Sequence, residues 1–194
     1  VRAVLLPALA SETYLLRKRP VPYVIAAAWV LMVIGFAFVI PYAIYLALDP
    51  AENPDRGELL RVVIPGSVHE TALSSYPMFG GAVMLILGAL ITGSEDRWST
   101  WKVRFTQGPG RTTVILAKFV AAAVAAAAIA ALALAGAVLA SLVIASLAGE
   151  SRAIPNPGAL LSSFAAAALI ATTWTSVGMR SEEHTSELQS RSVI

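Results

Sequence analysis

Four stretches of the chain carry no Asp, Glu, Lys or Arg: residues 20–48, 71–94, 119–149 and 153–179. Each is long enough to supply the roughly 20 apolar residues that a helix needs to cross a hydrocarbon core about 30 Å thick. The pattern predicts membrane-spanning helices at residues 23–46, 73–92, 120–147 and 159–178. The runs are continuous and rich in Ala and Leu, without the alternation of barrel strands. The predicted fold is therefore all-α, a polytopic membrane helix bundle. Tyr42 and Tyr45 sit where interfacial anchors belong, the first run is too long for a cleaved leader, and Pro41 is expected to kink its far end. The third run exceeds one straight crossing, so it tilts or its first turns stand outside the hydrocarbon. Its Ala-rich residues 121–128 offer a small-residue surface for close helix packing.

Composition agrees. Of 194 residues, 57% are hydrophobic and 13% charged, against roughly a quarter charged in a soluble domain. The mean hydropathy is +0.73. Four such runs in one short chain disfavour the alternative, buried helices of a large soluble protein. Disorder, fibrous coiled coils and secreted disulfide scaffolds are excluded. The absence of cysteine removes disulfides, thiol nucleophiles and zinc–thiolate sites. A net charge of +2 is too small to point to nucleic acid.

The placement of charge sets the orientation, because Lys and Arg favour the cytoplasmic side. The N-terminal flank carries Arg2, Arg17, Lys18 and Arg19, and the link between the second and third runs carries Arg97, Lys102, Arg104, Arg111 and Lys118. The opposite links carry only Arg56, Arg61 and Arg152, beside the acids Asp49, Glu52, Asp55, Glu58 and Glu70. The N-terminus is predicted to be cytoplasmic. Residues 48–72 are predicted to form an outer, solvated loop, in which His69 is an exposed lone histidine and no ligand.

Familiar catalytic chemistry is missing from the sequence. No Gly-x-x-x-x-Gly-Lys-Ser/Thr phosphate loop, His-Glu-x-x-His or Gly-x-Ser-x-Gly is present. The predicted spans hold no carboxylate, amine or imidazole of the kind that proton- and ion-coupled transporters keep at membrane depth. The chain is expected not to be an enzyme, and no cofactor is expected.

The cytoplasmic link, residues 93–118, is the most informative segment. Ser94 is predicted to cap a short helix, with Glu95 and Asp96 in its first turn. Trp98, Trp101 and Phe105 follow at spacings of three and four, on one helical face, with Arg97, Lys102 and Arg104 on others. Residues 107–110, Gln-Gly-Pro-Gly, break the helix, and Thr112 or Thr113 is expected to cap the next one. Periodicity alone fits two roles. One is a helix lying on anionic lipid; the other is a docking helix with aromatic anchors for a cytoplasmic partner.

The order of these residues resembles the type-2 family of ATP-binding-cassette (ABC) transporter permeases. The second run ends in Leu87-Gly88-Ala89-Leu90-Ile91-Thr92-Gly93-Ser94-Glu95. Ser99-Thr100, Pro109-Gly110-Arg111 and Ala117-Lys118 follow before the long Ala-rich run. Glu95, Thr100, Arg111 and Lys118 match the family's link in kind and order, and Ser99 stands where the family usually has Gly. Residues 1–22, with Ala10-Ser11-Glu12 and the basic Arg17-Lys18-Arg19, are similar to its amphipathic segment ahead of the first span. The resemblance implies six spans per subunit, of which four are visible here. It also implies pairing with a second permease copy and coupling to a separate cytoplasmic ATPase in a bacterial plasma membrane. It assigns partner coupling to Glu95, Arg97, Trp98, Trp101, Arg111 and Lys118. The alternatives are a non-transporting anchor, immunity or sensor protein, and an intramembrane enzyme with its catalytic groups elsewhere. Thr172, Thr173, Thr175 and Ser176 either line a path or serve as helix-packing donors.

Residues 180–190, Arg-Ser-Glu-Glu-His-Thr-Ser-Glu-Leu-Gln-Ser, resemble the in-frame translation of a sequencing adapter. Residues 1–179 are accordingly read as the permease domain and residues 180–194 as a non-native tail, with the natural protein expected to continue past Met179. Glu182, Glu183 and His184 are set aside as candidate ligands for the same reason.

Overall fold

A computed structural model describes residues 2–96, 110–153 and 155–191. Among them every regular element is helical, so the fold is all-α. Helix α1 is Arg2–Lys18, with Pro7 in its second turn and Arg17 and Lys18 in its last, where cations complement the partial negative charge of the helix end. Lys18 Nζ lies 5.6 Å from the centre of the Tyr14 ring. Pro20 interrupts the chain, and α2 runs from Val21 to Ala47. The Tyr23 hydroxyl donates to the Arg17 carbonyl at 3.1 Å, satisfying one of the acceptors that the end of α1 leaves open.

Helix α2 is not uniform. Its middle, Val33–Val39, is π-helical, and the Ile40 N–H donates to the Gly35 carbonyl five residues back. Pro41 follows directly. A proline ring has no N–H and presses on the carbonyl four residues earlier, and the widened turn ahead of it relieves that pressure.

The segment predicted as an outer, solvated loop is largely helical. Helices α3, Gly57–Val63, and α4, Val68–Ser75, are joined through a 3₁₀ turn at Pro65–Ser67. Leu60, Val63, Val68 and Ala72 are buried. Their spacing of three to five residues turns apolar positions to one side of short helices whose acids stay outside. Glu58 and Arg61 pair at 3.0 Å in the open. The Arg56 guanidinium donates to the Leu48 carbonyl at 2.8 Å and lies 4.9 Å from the centre of the Tyr45 ring.

After α4 comes a second π segment, Tyr76–Gly80, then α5, Gly81–Asp96. Helix α6 is Arg111–Ala148 and α7 is Pro157–Arg191. Three helices are long and apolar enough to cross a membrane: Val21–Ala47, Thr112–Ala148 within α6 and Pro157–Ser181 within α7. The first has 27 residues, about 40 Å at 1.5 Å per residue. The predicted fourth such helix, at residues 73–92, is instead divided among α4, the π segment at Pro77 and α5. Its apolar α-helical part, Gly81–Gly93, falls below crossing length.

The ends of α6 and α7 follow local chemistry. Gly149 adopts φ +72° after α6, and the Glu150 N–H bonds the Ala145 carbonyl at 2.9 Å. That is a helix stop needing a left-handed residue, which glycine supplies without strain. Asn156 caps α7, its Oδ1 accepting from the Gly158 N–H at 2.8 Å, with Pro157 in the first helical position. The backbone of α7 stays helical through the polar residues to Arg191.

The chain divides into two compact units. One holds Val1–Ile25, Gly81–Ala127 and Ile170–Ile194; its core is Met84, Leu87, Ile91, Ala117, Ala121, Ala126, Ala171 and Thr175. The other holds Ala26–Gly80 and Ala128–Leu169; its core is Trp29, Val33, Phe38, Val63, Val68, Tyr76, Ala130, Ala133 and Ala137. Along α6 the buried positions are mostly Ala, while Leu132, Leu139 and Leu147 are 56%, 65% and 70% exposed. Small residues inside and large apolar residues outside reverse the order of a soluble protein and suit a lipid solvent.

Candidate functional site

The residues assigned to partner coupling cluster around the link between α5 and α6. Glu95 lies in the last turn of α5, which ends at Asp96. The helix expected to begin at Ser94 does not start there. The apolar helix before it runs through Gly93 and Ser94 to Asp96 without a break. Arg97, Trp98 and Trp101 lie outside the described residues, as do Thr100, Lys102, Arg104, Phe105 and Pro109.

On the far side of the link, α6 opens at Arg111. The Gly110 carbonyl accepts from the N–H groups of Thr113, at 2.9 Å, and Val114, at 3.3 Å. Gly110 therefore holds the capping position that was expected of Thr112 or Thr113, and both threonines fall in the first turn. Lys118 comes two turns into α6 and is only 3% exposed, on the same side as Val114, Ala117 and Ala121. The structure thus brings Arg111 and Lys118 onto one helix and puts Glu95 at the end of the helix before it.

Sequence reasoning missed how α5 meets α7. Gly88 and Gly178 are the contact points. A Cβ on Gly88 would run into the Thr175 carbonyl oxygen, and one on Gly178 would run into that of Leu85. The two backbones touch where neither residue carries a side chain, the close approach that small residues allow between helices in lipid. Gly81, on the same helix, faces the Trp174 ring at 3.0 Å from its would-be Cβ. Glycines inside predicted spans were the available signal. Which helices they would join was not written in either run.

The hydroxyl-rich part of α7 divides by role. Ser176 donates to the Thr172 carbonyl at 2.6 Å, within its own helix. Thr175 is 1% exposed, and its hydroxyl has no hydrogen-bond partner. Thr172, Thr173 and Ser176 line a groove of about 600 Å³ with Thr92, Lys118 and Phe119.

In the other unit, Trp29 is fully buried and meets Tyr76 edge to face, ring centres 5.0 Å apart at 69°. No hydrogen bond of acceptable geometry reaches the Trp29 indole N–H or the Tyr76 hydroxyl. His69 is on α4 and half-buried, not exposed in a loop as expected; its Nε2 lies 3.9 Å from Glu70 and its Nδ1 has no partner. Among the described residues, no group of three or more His, Cys, Asp or Glu is placed to hold a metal ion. Compared with family models, curated proteins and solved structures, the chain matches none.

Proposed function

We propose that this chain is the membrane-spanning permease subunit of an ATP-binding-cassette exporter of the type-2 family. ATP is hydrolysed by a separate cytoplasmic ATPase, and the permease works as a pair in a bacterial plasma membrane with its N-terminus in the cytoplasm. The observation that carries the reading is the polar link bounded by Glu95 at the end of α5 and Arg111 at the start of α6. It holds Trp98 and Trp101 among four cations, Arg97, Lys102, Arg104 and Arg111, and Lys118 follows two turns into α6. Three helices of crossing length and the reversed packing of α6 support a membrane setting.

The mechanism follows from rigidity. An ATPase gripping the link displaces the end of α5. Because α5 and α7 touch backbone to backbone at Gly88 and Gly178, that displacement is carried to α7 without slack. The partner can shift the spans only by binding one arrangement more tightly than the other. A near-complete switch needs roughly a 10⁴-fold difference in affinity. No residue of this chain performs chemistry in that cycle.

The test is the double variant Trp98→Ala with Trp101→Ala. The tagged wild-type chain, extracted from its native membrane in mild detergent, is expected to bring down a soluble protein bearing Gly-x-x-x-x-Gly-Lys-Ser/Thr. Recovery should fall at least about tenfold in the variant, as for paired aromatic anchors at an interface. Equal recovery with both chains, or no such ATPase with the wild type, would reject the reading. A variant that loses only its affinity for anionic vesicles identifies a lipid-lying helix instead.

A further inference from the structure

A groove of about 440 Å³ opens in the unit that holds α3 and α4, where α2 and α6 end. Tyr45 borders it two residues before the end of α2, and Glu150 two residues past the end of α6. Both helices are of membrane-crossing length, so a groove bordered by both ends lies at the level of the lipid headgroups. Tyr42 and Tyr45 stack with ring centres 6.1 Å apart, an aromatic pair suited to that level. Leu46 and Leu147, each next to the end of its helix, are 62% and 70% exposed and suit contact with acyl chains.

The charges that line the groove are Arg56, Arg61 and Glu150. Arg61 is already paired with Glu58. Arg56 is fixed by the Tyr45 ring and by one hydrogen bond to the Leu48 carbonyl. A guanidinium has five N–H donors, and among the described residues no carboxylate pairs with this one. The Glu150 carboxylate likewise has no cation or donor among the described residues; only its backbone N–H is bonded, to Ala145. Arg56 and Glu150 thus border one groove without closing on each other. The space between them suits a ligand that brings an anion to the first and a cation to the second.

We propose that this groove seats the headgroup of phosphatidylethanolamine from the surrounding membrane. The phosphate accepts from the free N–H groups of Arg56, whose planar fork matches it, and the primary ammonium donates to the Glu150 carboxylate. The acyl chains pass Leu46 and Leu147 into the hydrocarbon. Phosphatidylglycerol brings the anion but leaves Glu150 without a cation. Phosphatidylcholine brings a cation that has no N–H to donate. The inference rests on the membrane setting and not on coupling to an ATPase, since it uses no residue of the link at 93–118.

The test uses the full chain in detergent micelles, with bound lipid counted by native mass spectrometry. Phosphatidylethanolamine, phosphatidylglycerol and phosphatidylcholine of one chain length are titrated in turn. The wild type is expected to hold phosphatidylethanolamine about fivefold more tightly than either of the others, the scale of one charge contact open to water. Glu150→Gln, in an exposed turn whose backbone bond it keeps, should abolish the preference over phosphatidylglycerol. Arg56→Gln should weaken phosphatidylethanolamine by about fivefold or more. Equal binding of phosphatidylethanolamine and either other lipid by the wild type overturns the proposal, as does a preference over phosphatidylglycerol that survives in Glu150→Gln. Undiminished binding of phosphatidylethanolamine in Arg56→Gln also overturns it; if that variant does not fold, Glu150→Gln decides alone. Displacement of the lipid by millimolar phosphoethanolamine would mark a site for a soluble zwitterion and overturn the lipid assignment.

Discussion

Replacing Gly178 by valine is expected to force α5 and α7 apart and to destabilise the folded chain by about 3 kcal/mol or more. The reason is the nature of the obstacle. The added Cβ would meet the carbonyl of Leu85, a backbone atom fixed in a hydrogen-bonded helix, and no rotamer change removes it. Gly88→Val should do the same against the Thr175 carbonyl. The control is Gly57→Ala, where a Cβ has nothing within 4 Å; there, loss of backbone freedom in the unfolded chain leaves stability equal or slightly raised. Thermal unfolding in micelles, followed by circular dichroism, separates the three. Loss of the transition in both valine variants with Gly57→Ala intact is the expected result. Wild-type stability in Gly178→Val would show that the two helices do not meet there.

The second large effect is expected at Trp29. Trp29→Ala should cost about 3–5 kcal/mol, the range for emptying an aromatic site in a packed core. Trp29 is fully buried against Tyr76, and the indole lies 3.1 Å from the would-be Cβ of Gly80. Trp29→Phe is the informative partner. It keeps the edge-to-face pairing while removing an indole N–H that finds no acceptor, so its cost should stay within about 1.5 kcal/mol. Equal losses in the two variants would mean that the N–H, not the ring, holds the site.

Some of this was legible in the chain, for physical reasons that differ by element. The all-α fold follows from long charge-free runs, because a helix satisfies its own backbone in lipid. The stop of α6 at Gly149 and the start of α7 at Asn156-Pro157 are local chemistry. Residues 48–72 misled because their acids dominate the composition, while burial depends on four apolar side chains spaced for short helices. Ser94 misled as a cap because a serine in the last turn of a long helix looks the same locally as one before a short helix. The contacts of Gly88 and Gly178, and the burial of Lys118, arise between segments far apart in sequence, where periodicity carries no information about partners.

The proposed coupling of this link to an ATPase is tested most directly by photo-cross-linking. A benzophenone amino acid replaces Trp101 in the full chain, expressed in its native membrane and illuminated in whole cells. The account predicts an adduct whose partner peptide, sequenced by mass spectrometry, belongs to a protein carrying Gly-x-x-x-x-Gly-Lys-Ser/Thr. Its yield should change when ATP is depleted. Adducts to lipid alone, unchanged by ATP, would contradict the account.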